Sequence, residues 1–131
     1  MIKHCAALLI ALAILKVESA VAQSSSQLLV GTWTSTLEGA TCGKTVIKVT
    51  AVESNGVVRG ALECPKRGTV LILGEKIEFN KAMSAKFDGT KLKMDGANGS
   101  GLLLEVNASS MVGTYLPSAK EKVTPASFVK Q

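Results

Sequence analysis

The stretch that decides the fold is Leu28-Leu29-Val30-Gly31-Thr32-Trp33-Thr34-Ser35-Thr36-Leu37, which contains the only tryptophan of the chain. Aliphatic and β-branched residues dominate it, and such residues favour an extended strand. The side chains of a strand point alternately to its two faces, and the residues predicted to share one face are Leu29, Gly31, Trp33, Ser35 and Leu37. We therefore predict the first strand of a small β-barrel, in which Trp33 and Gly31 form the structural floor.

The same alternation of apolar and polar residues continues to the C-terminus, and turn residues recur about every ten positions. Asn55-Gly56 and Asp88-Gly89 are strong hairpin signals, because these pairs tolerate the positive φ angles of tight turns. The pattern predicts eight or nine short strands, although Lys81–Lys86 fits a short helical turn as well as a strand. The predicted fold is all-β, an antiparallel up-and-down meander barrel of about eight strands, and a two-sheet β-sandwich is the alternative.

The alternation also predicts which residues share a face of each strand. In the predicted strand Lys44–Val52, one face carries Ile47, Val49 and Ala51, and the other carries Lys48 and Thr50. A further short strand is predicted over Ile77–Phe79, after a turn. These positions depend on an unbroken period of two along each strand.

The first 22 residues have the three parts of a secretory signal peptide. Lys3 and His4 form a positively charged start, Cys5–Leu15 is an apolar run, and Ala20-Val21-Ala22 has the small residues of a cleavage site. A helix of 11 residues spans about 16 Å, which is too short to cross a hydrocarbon core of roughly 30 Å. We therefore expect a cleaved signal over residues 1–22 and no membrane contact afterwards.

Cleavage would leave a flexible polar leader over residues 23–27 and a single barrel domain over residues 28–131. Without the signal, which carries Lys3, Lys16 and Glu18, the net charge falls from +5 to +4. That charge is ordinary for a soluble protein and gives no indication of nucleic-acid binding. Cys42 and Cys64 remain as an even pair in a secreted or periplasmic chain. One disulfide is the prediction, and two free buried thiols are the alternative.

Missing residue types exclude most catalytic and metal-binding arrangements. The only histidine, His4, lies in the signal, so no Ser-His-Asp or Cys-His arrangement can form in the mature chain. Paired cysteines leave no thiolate for zinc or copper. The glycine-rich segment Asp95–Gly101 joins two predicted strands, so it is predicted to be a hairpin loop and not a phosphate site. We predict no catalytic residue, no metal and no cofactor. Asn98 and Asn107 fit the N-glycosylation pattern, whose use depends on the host.

Gly31-Thr32-Trp33 at the start of a meander resembles the calycin barrels, the group of the lipocalins and avidins. The resemblance is clearest from Leu29 to Gly60. It implies a closed barrel that binds a small apolar ligand. Biotin binding does not carry over, because avidins use several tryptophans for it and this chain has one.

The layout of Trp33, Cys42 and Cys64 also resembles bacterial exported inhibitors of secreted zinc metalloproteases. In those proteins a mobile N-terminal trunk enters the protease active site. The resemblance makes the leader a candidate partner-binding segment, with Ser24, Ser25, Ser26 and Gln27. The expected function is a non-enzymatic binding module for a small apolar ligand or an extracytoplasmic protein. The alternatives are a protease inhibitor acting through the leader and a structural or surface-assembly protein.

Overall fold

The computed structural model describes residues 26–36, 42–76 and 81–131, and nine strands within them form one closed barrel. Each strand pairs with the next, and the ninth pairs with the first. The predicted all-β barrel is confirmed, and the two-sheet alternative is wrong. The strands are β1 (Gly31–Ser35), β2 (Val46–Val52), β3 (Val58–Cys64), β4 (Thr69–Leu73), β5 (Ala82–Phe87), β6 (Lys91–Asp95), β7 (Gly101–Val106), β8 (Ser110–Leu116) and β9 (Thr124–Lys130).

One neighbouring pair of the barrel is parallel. If nine strands alternated in direction throughout, the first and the ninth would run the same way, so a closed barrel of nine needs a parallel pair. This pair is β4 and β5, where Ile72 lies beside Ala82 and Leu73 beside Met83. The other eight interfaces are antiparallel. The prediction of a wholly antiparallel meander is therefore corrected at this pair. The strand predicted over Ile77–Phe79 lies outside the described residues.

The stretch Lys81–Lys86, which the sequence leaves open between helix and strand, belongs mostly to β5. Met83, Ala85 and Phe87 alternate along it and are buried, whereas Lys86 between them is exposed. A period of two with one buried face is the mark of a strand, so the helical alternative is wrong.

A bulge in β2 changes which of its residues face inward. Ile47 and Val49 share the buried face, but Ala51 is exposed. The pairing with β3 shifts between Val49 and Ala51, because β2 contains an extra residue there. One extra residue reverses the alternation, so the prediction that Ala51 shares a face with Ile47 and Val49 was wrong.

The first strand begins later than the sequence predicts. Residues 26–29 form a helical turn, and β1 begins at Gly31. Trp33 is fully buried, and its Nε1 donates a hydrogen bond of 2.9 Å to the carbonyl oxygen of Leu29. This bond holds the turn across one end of the barrel, which we call the closed end. Leu29 is fully buried there, so it reaches the core from the turn and not from the strand face predicted for it.

Lys130, the last residue of β9, crosses the closed end. Its Nζ donates a hydrogen bond of 2.8 Å to the carbonyl oxygen of Leu28 and lies 5.4 Å from the centroid of the Trp33 ring. A Cβ on Gly31 would lie 2.9 Å from Lys130 Cε, and Gly31 has a φ of +142°. Glycine therefore both permits this backbone conformation and leaves room for the lysine.

Apolar side chains fill the barrel from the closed end to its middle. Burying each large side chain stabilises the fold by about 1.5–3 kcal/mol relative to leaving it exposed. The outward positions between them are exposed, as with Lys91 and Lys93 around Leu92. The largest fully buried side chains are Trp33, Leu29, Ile47, Leu73, Leu92, Met94, Leu104, Met111 and Val58.

Candidate functional site

The end of the barrel opposite the closed end contains a cavity of about 520 Å³, which we call the cup. It lies where β1, β3, β6 and β8 end and where β4, β7 and β9 begin. Its volume is within the range of roughly 300–1,000 Å³ that is usual for small-molecule pockets. The main apolar residues lining the cup are Leu62, Leu71, Met83, Leu102, Tyr115 and Phe128.

The deep part of the cup consists of buried apolar side chains. Leu62, Leu102 and Phe128 are only 3–7% exposed, and Met83 is 5% exposed. Two residues beyond Leu102 on the same inner face of β7, Leu104 is fully buried and does not line the cavity. The cup therefore ends on the packed apolar core.

Hydroxyl side chains lie around the opening of the cup. Ser35 Oγ accepts a hydrogen bond of 2.8 Å from the backbone N–H of Thr45, and Ser100 Oγ donates one of 2.7 Å to the carbonyl oxygen of Ala97. Thr124 Oγ1 donates a longer bond, of 3.3 Å, to the carbonyl oxygen of Tyr115. These groups are engaged in holding the loops, so the larger part of the surface that the cup offers to a ligand is apolar.

Arg67 is the only lysine, arginine, aspartate or glutamate among the described residues that line the cup. It is exposed and ends the 3₁₀ turn Pro65–Arg67 between β3 and β4. No ion pair of Arg67 occurs among the described residues. Within the described parts of the loops at this end, the only acid is Glu121, and the basic residues are Lys44, Lys66, Arg67, Lys120 and Lys122. Glu38 lies outside the described residues.

Cys42 and Cys64 form a disulfide in the wall of the cup, with an S–S distance of 2.04 Å. The predicted disulfide is confirmed, and the alternative of two free thiols is wrong. The bond joins the segment before β2 to the end of β3, and the N–H of Lys66 donates a hydrogen bond of 3.2 Å to the Cys42 carbonyl beside it. A cross-link over a sequence separation of 22 stabilises a fold by about 3 kcal/mol in the chain-entropy model.

The groups with displaced pKa values lie away from the cup, Arg59 near the start of β3 and Asp88 in the turn between β5 and β6. Hydrogen bonding from Arg59 Nε to Glu53, at 2.9 Å, raises the pKa of the guanidinium, and Glu75 at 3.1 Å adds to this effect. The N–H groups of Lys91 and Thr90, together with the Thr90 hydroxyl, donate hydrogen bonds that lower the pKa of Asp88. Both arrangements stabilise turns.

In the part of the chain that the structure describes, no group of three or more histidine, cysteine, aspartate or glutamate residues could hold a metal ion. The same residues include no helix that is long and apolar enough to cross a membrane.

The described part of the leader, Ser26 and Gln27, lies away from the cup. Ser26 and Gln27 belong to the helical turn at the closed end, where the Gln27 carbonyl accepts a hydrogen bond of 3.2 Å from the N–H of Val30. Ser24 and Ser25 lie outside the described residues. Gly31 and Trp33, which the sequence assigns to the floor, are also at the closed end. The cup and the described part of the leader are therefore at opposite ends of the barrel.

Apart from Cys42 and Cys64, the residues that line the cup were not among the site candidates from the sequence. One signal was present, because inward positions near the cup carry hydroxyl groups whereas those near the closed end carry large apolar groups. Ser35, Thr69 and Thr124 are examples of the first kind, and Leu73 and Leu104 of the second. This difference can be noticed only once it is known which end of the barrel each inward position is near.

The sequence matches no protein-family model, and no curated protein or solved structure is similar enough to indicate a relationship. The likeness to calycins and to protease inhibitors therefore rests on the sequence motif, the disulfide and the barrel architecture alone.

Proposed function

We propose that this protein is a non-enzymatic binding protein that holds a small, mainly apolar molecule in the cup. The observation that carries the proposal is the cavity of about 520 Å³ at one end of an otherwise packed barrel. A barrel filled by its own side chains has no such space. The disulfide in the wall of the cup supports a secreted or periplasmic location, where such bonds persist.

The lining of the cup suits an apolar guest. Leu62, Leu102 and Phe128 are held in place by the strands, so a ligand can bury its surface against them without ordering a loop first. Met83 is unbranched and polarizable, and such side chains adapt to guests of different shape. Burial of apolar ligand surface is therefore the main expected source of affinity.

Titration with N-phenyl-1-naphthylamine, a neutral probe that fluoresces in apolar surroundings, tests the proposal. We expect saturable binding of one probe per chain. Leu102→Trp places a larger side chain in the cup and should weaken binding at least about tenfold, the equivalent of 1.4 kcal/mol.

The matched control is Leu103→Trp, on the outer face of the same strand, where the native side chain is 46% exposed. This variant should bind the probe as the unmodified protein does. Equal affinities for the Leu102→Trp variant and the unmodified protein, or no saturable binding by the unmodified protein, would contradict the proposal.

A further inference from the structure

We propose that the cup selects amphipathic anions, with the apolar chain of the ligand against Leu62, Leu102 and Phe128 and its anionic head at Arg67. This inference rests on the proposed function and specifies the chemical class of the ligand. It is carried by the juxtaposition of an apolar cavity of about 520 Å³ and Arg67, the one charged side chain among the described residues of its lining.

The two arginines of the chain differ in the ion pairs that they form with described residues. Arg59 is held by Glu53 and Glu75 at 2.9 and 3.1 Å, and its Nη1 also donates a hydrogen bond of 2.8 Å to the Gly74 carbonyl. Arg67 forms no ion pair with any described residue, although it lies at the opening of the cup. Its guanidinium therefore has donors available to an anion from solution.

The chemistry of a guanidinium suits a planar anionic head. It stays charged at any physiological pH, and its fork of N–H donors can bind a carboxylate through two parallel hydrogen bonds. Arg67 is exposed, so the head of the ligand would remain partly hydrated while the apolar chain of the ligand is buried in the cup. The exposed cationic rim and the buried apolar interior of the cup thus correspond to the charged head and the apolar chain of an amphipathic anion.

The surrounding charge favours the same class of ligand. No aspartate or glutamate is present among the described residues of the cup lining, so nothing described there repels an anion. Lys44, Lys66, Lys120 and Lys122 lie on the described parts of the loops at this end, where Glu121 is the only acid. Such a basic rim attracts anions over several ångströms and raises their association rate.

Competition with matched ligands tests the inference. Dodecanoate, dodecanol and dodecylammonium differ in head-group charge and share one chain length. Each is titrated at pH 8 as a competitor of N-phenyl-1-naphthylamine, below the micellar concentration of the two charged compounds and below the solubility limit of dodecanol. The unmodified protein should bind dodecanoate about tenfold more tightly than dodecanol, as one charge-assisted contact predicts. Dodecylammonium should bind most weakly, because its head has the same charge as Arg67.

Arg67→Gln should bring the affinities for dodecanoate and dodecanol to within about twofold, because it removes the charge that distinguishes the two head groups. Arg67→Lys should retain only part of the preference, because it keeps the charge but loses the two parallel hydrogen bonds. The control is Lys66→Gln, which removes a neighbouring charge outside the cup lining and should retain at least half of the preference.

Equal binding of dodecanoate and dodecanol by the unmodified protein would overturn the inference and leave the proposed function standing. Equal losses in the Arg67→Gln and Lys66→Gln variants would also overturn it, since the preference would then reflect general surface charge. If the neutral probe itself does not bind, the proposed function fails instead. The two failures are thus distinguishable.

Discussion

At the scale of single residues, the closed end depends on Lys130, which contacts both the helical turn and the ring of Trp33. Lys130→Met keeps the aliphatic chain but removes the ammonium group, and with it the hydrogen bond to Leu28 and the cation–π contact. We expect the free energy of unfolding to fall by about 1 kcal/mol. Urea unfolding followed by Trp33 fluorescence measures this change.

Lys93→Met is the control, since Lys93 is exposed on the outer face of β6 and forms no ion pair with a described residue. Its effect should stay within about 0.5 kcal/mol. Equal stabilities of the two variants would show that the Lys130 contacts contribute nothing to the closed end.

Asp88 gives the barrel a specific dependence on acid. Hydrogen bonds from Lys91, Thr90 and the Thr90 hydroxyl lower the pKa of this carboxyl in the folded protein. The unfolded chain therefore takes up the proton first, at an ordinary pKa of about 3.9. The stabilising contribution is complete above that pH and is lost as the pH falls through the lower, folded pKa.

We expect unfolding free energy to decline below about pH 4 more steeply in the unmodified protein than in Asp88→Ala, because only the unmodified protein has this group to protonate. Carbon-detected NMR titration of Asp88 gives the folded pKa directly. A folded pKa at or above that of an unstructured aspartate would contradict the assignment.

At the scale of elements, Gly60 of β3 lies where the backbone of β2 leaves no room for a side chain. It has a φ of +148°, and a Cβ there would overlap the carbonyl oxygen of Lys48. We expect Gly60→Ala to destabilise the protein by about 3 kcal/mol or more, from unfavourable backbone geometry and overpacking together. Gly68 also has a positive φ but has nothing within 4 Å of its Cβ position.

Gly68→Ala is the matched control and should cost about 1 kcal/mol, the penalty of the left-handed conformation alone. Thermal or urea unfolding of both variants gives the comparison. A Gly60→Ala variant as stable as Gly68→Ala would mean that the strands can move apart at this point without cost.

The disulfide also acts between elements, because it connects the segment before β2 to the end of β3. We expect Cys42→Ala combined with Cys64→Ala to lower the free energy of unfolding by about 3 kcal/mol. Reductant should destabilise the unmodified protein by a similar amount and should leave the double variant unaffected. A reductant effect on the double variant would mean that some other group is being reduced.

Most strands could be predicted from the sequence, because their period of two is a local property. Leu92 and Met94 are buried between exposed lysines as the pattern of β6 requires. The bulge before Ala51 could not be predicted, since it depends on how β2 pairs with β3. The parallel pair of β4 and β5 is likewise a consequence of closing nine strands. Both features involve pairing between strands, which no single segment specifies.

At the scale of the whole molecule, the cup follows from the number of strands and the size of the inward residues. The diameter of a barrel grows with strand number, and eight strands enclose a space that side chains just fill. A ninth strand widens that space, and small inward residues such as Gly113 and Ala126 fill less of it. Trp33 and its neighbours close one end, which leaves the unfilled volume at the other.

This origin explains why the candidate site was not predicted from the sequence. Arg67 and Thr69 belong to a turn and a strand end that look ordinary in isolation. They become lining residues only because closure brings them beside Leu102 and Tyr115, which lie more than thirty positions further along the chain. The volume between such residues is a property of the closed barrel.

The most direct test of the central claim, that the cup binds the ligand, is a methyl NMR spectrum of the protein titrated with dodecanoate. Pairs of leucines on one strand act as internal controls, because Leu71 and Leu102 line the cup whereas Leu73 and Leu104 lie in the packed core. We expect the methyl signals of Leu62, Leu71, Met83 and Leu102 to shift saturably. Those of Leu73, Leu104 and Met111 should shift far less. Saturable shifts centred on the closed end, or equal shifts in both members of each pair, would contradict the account.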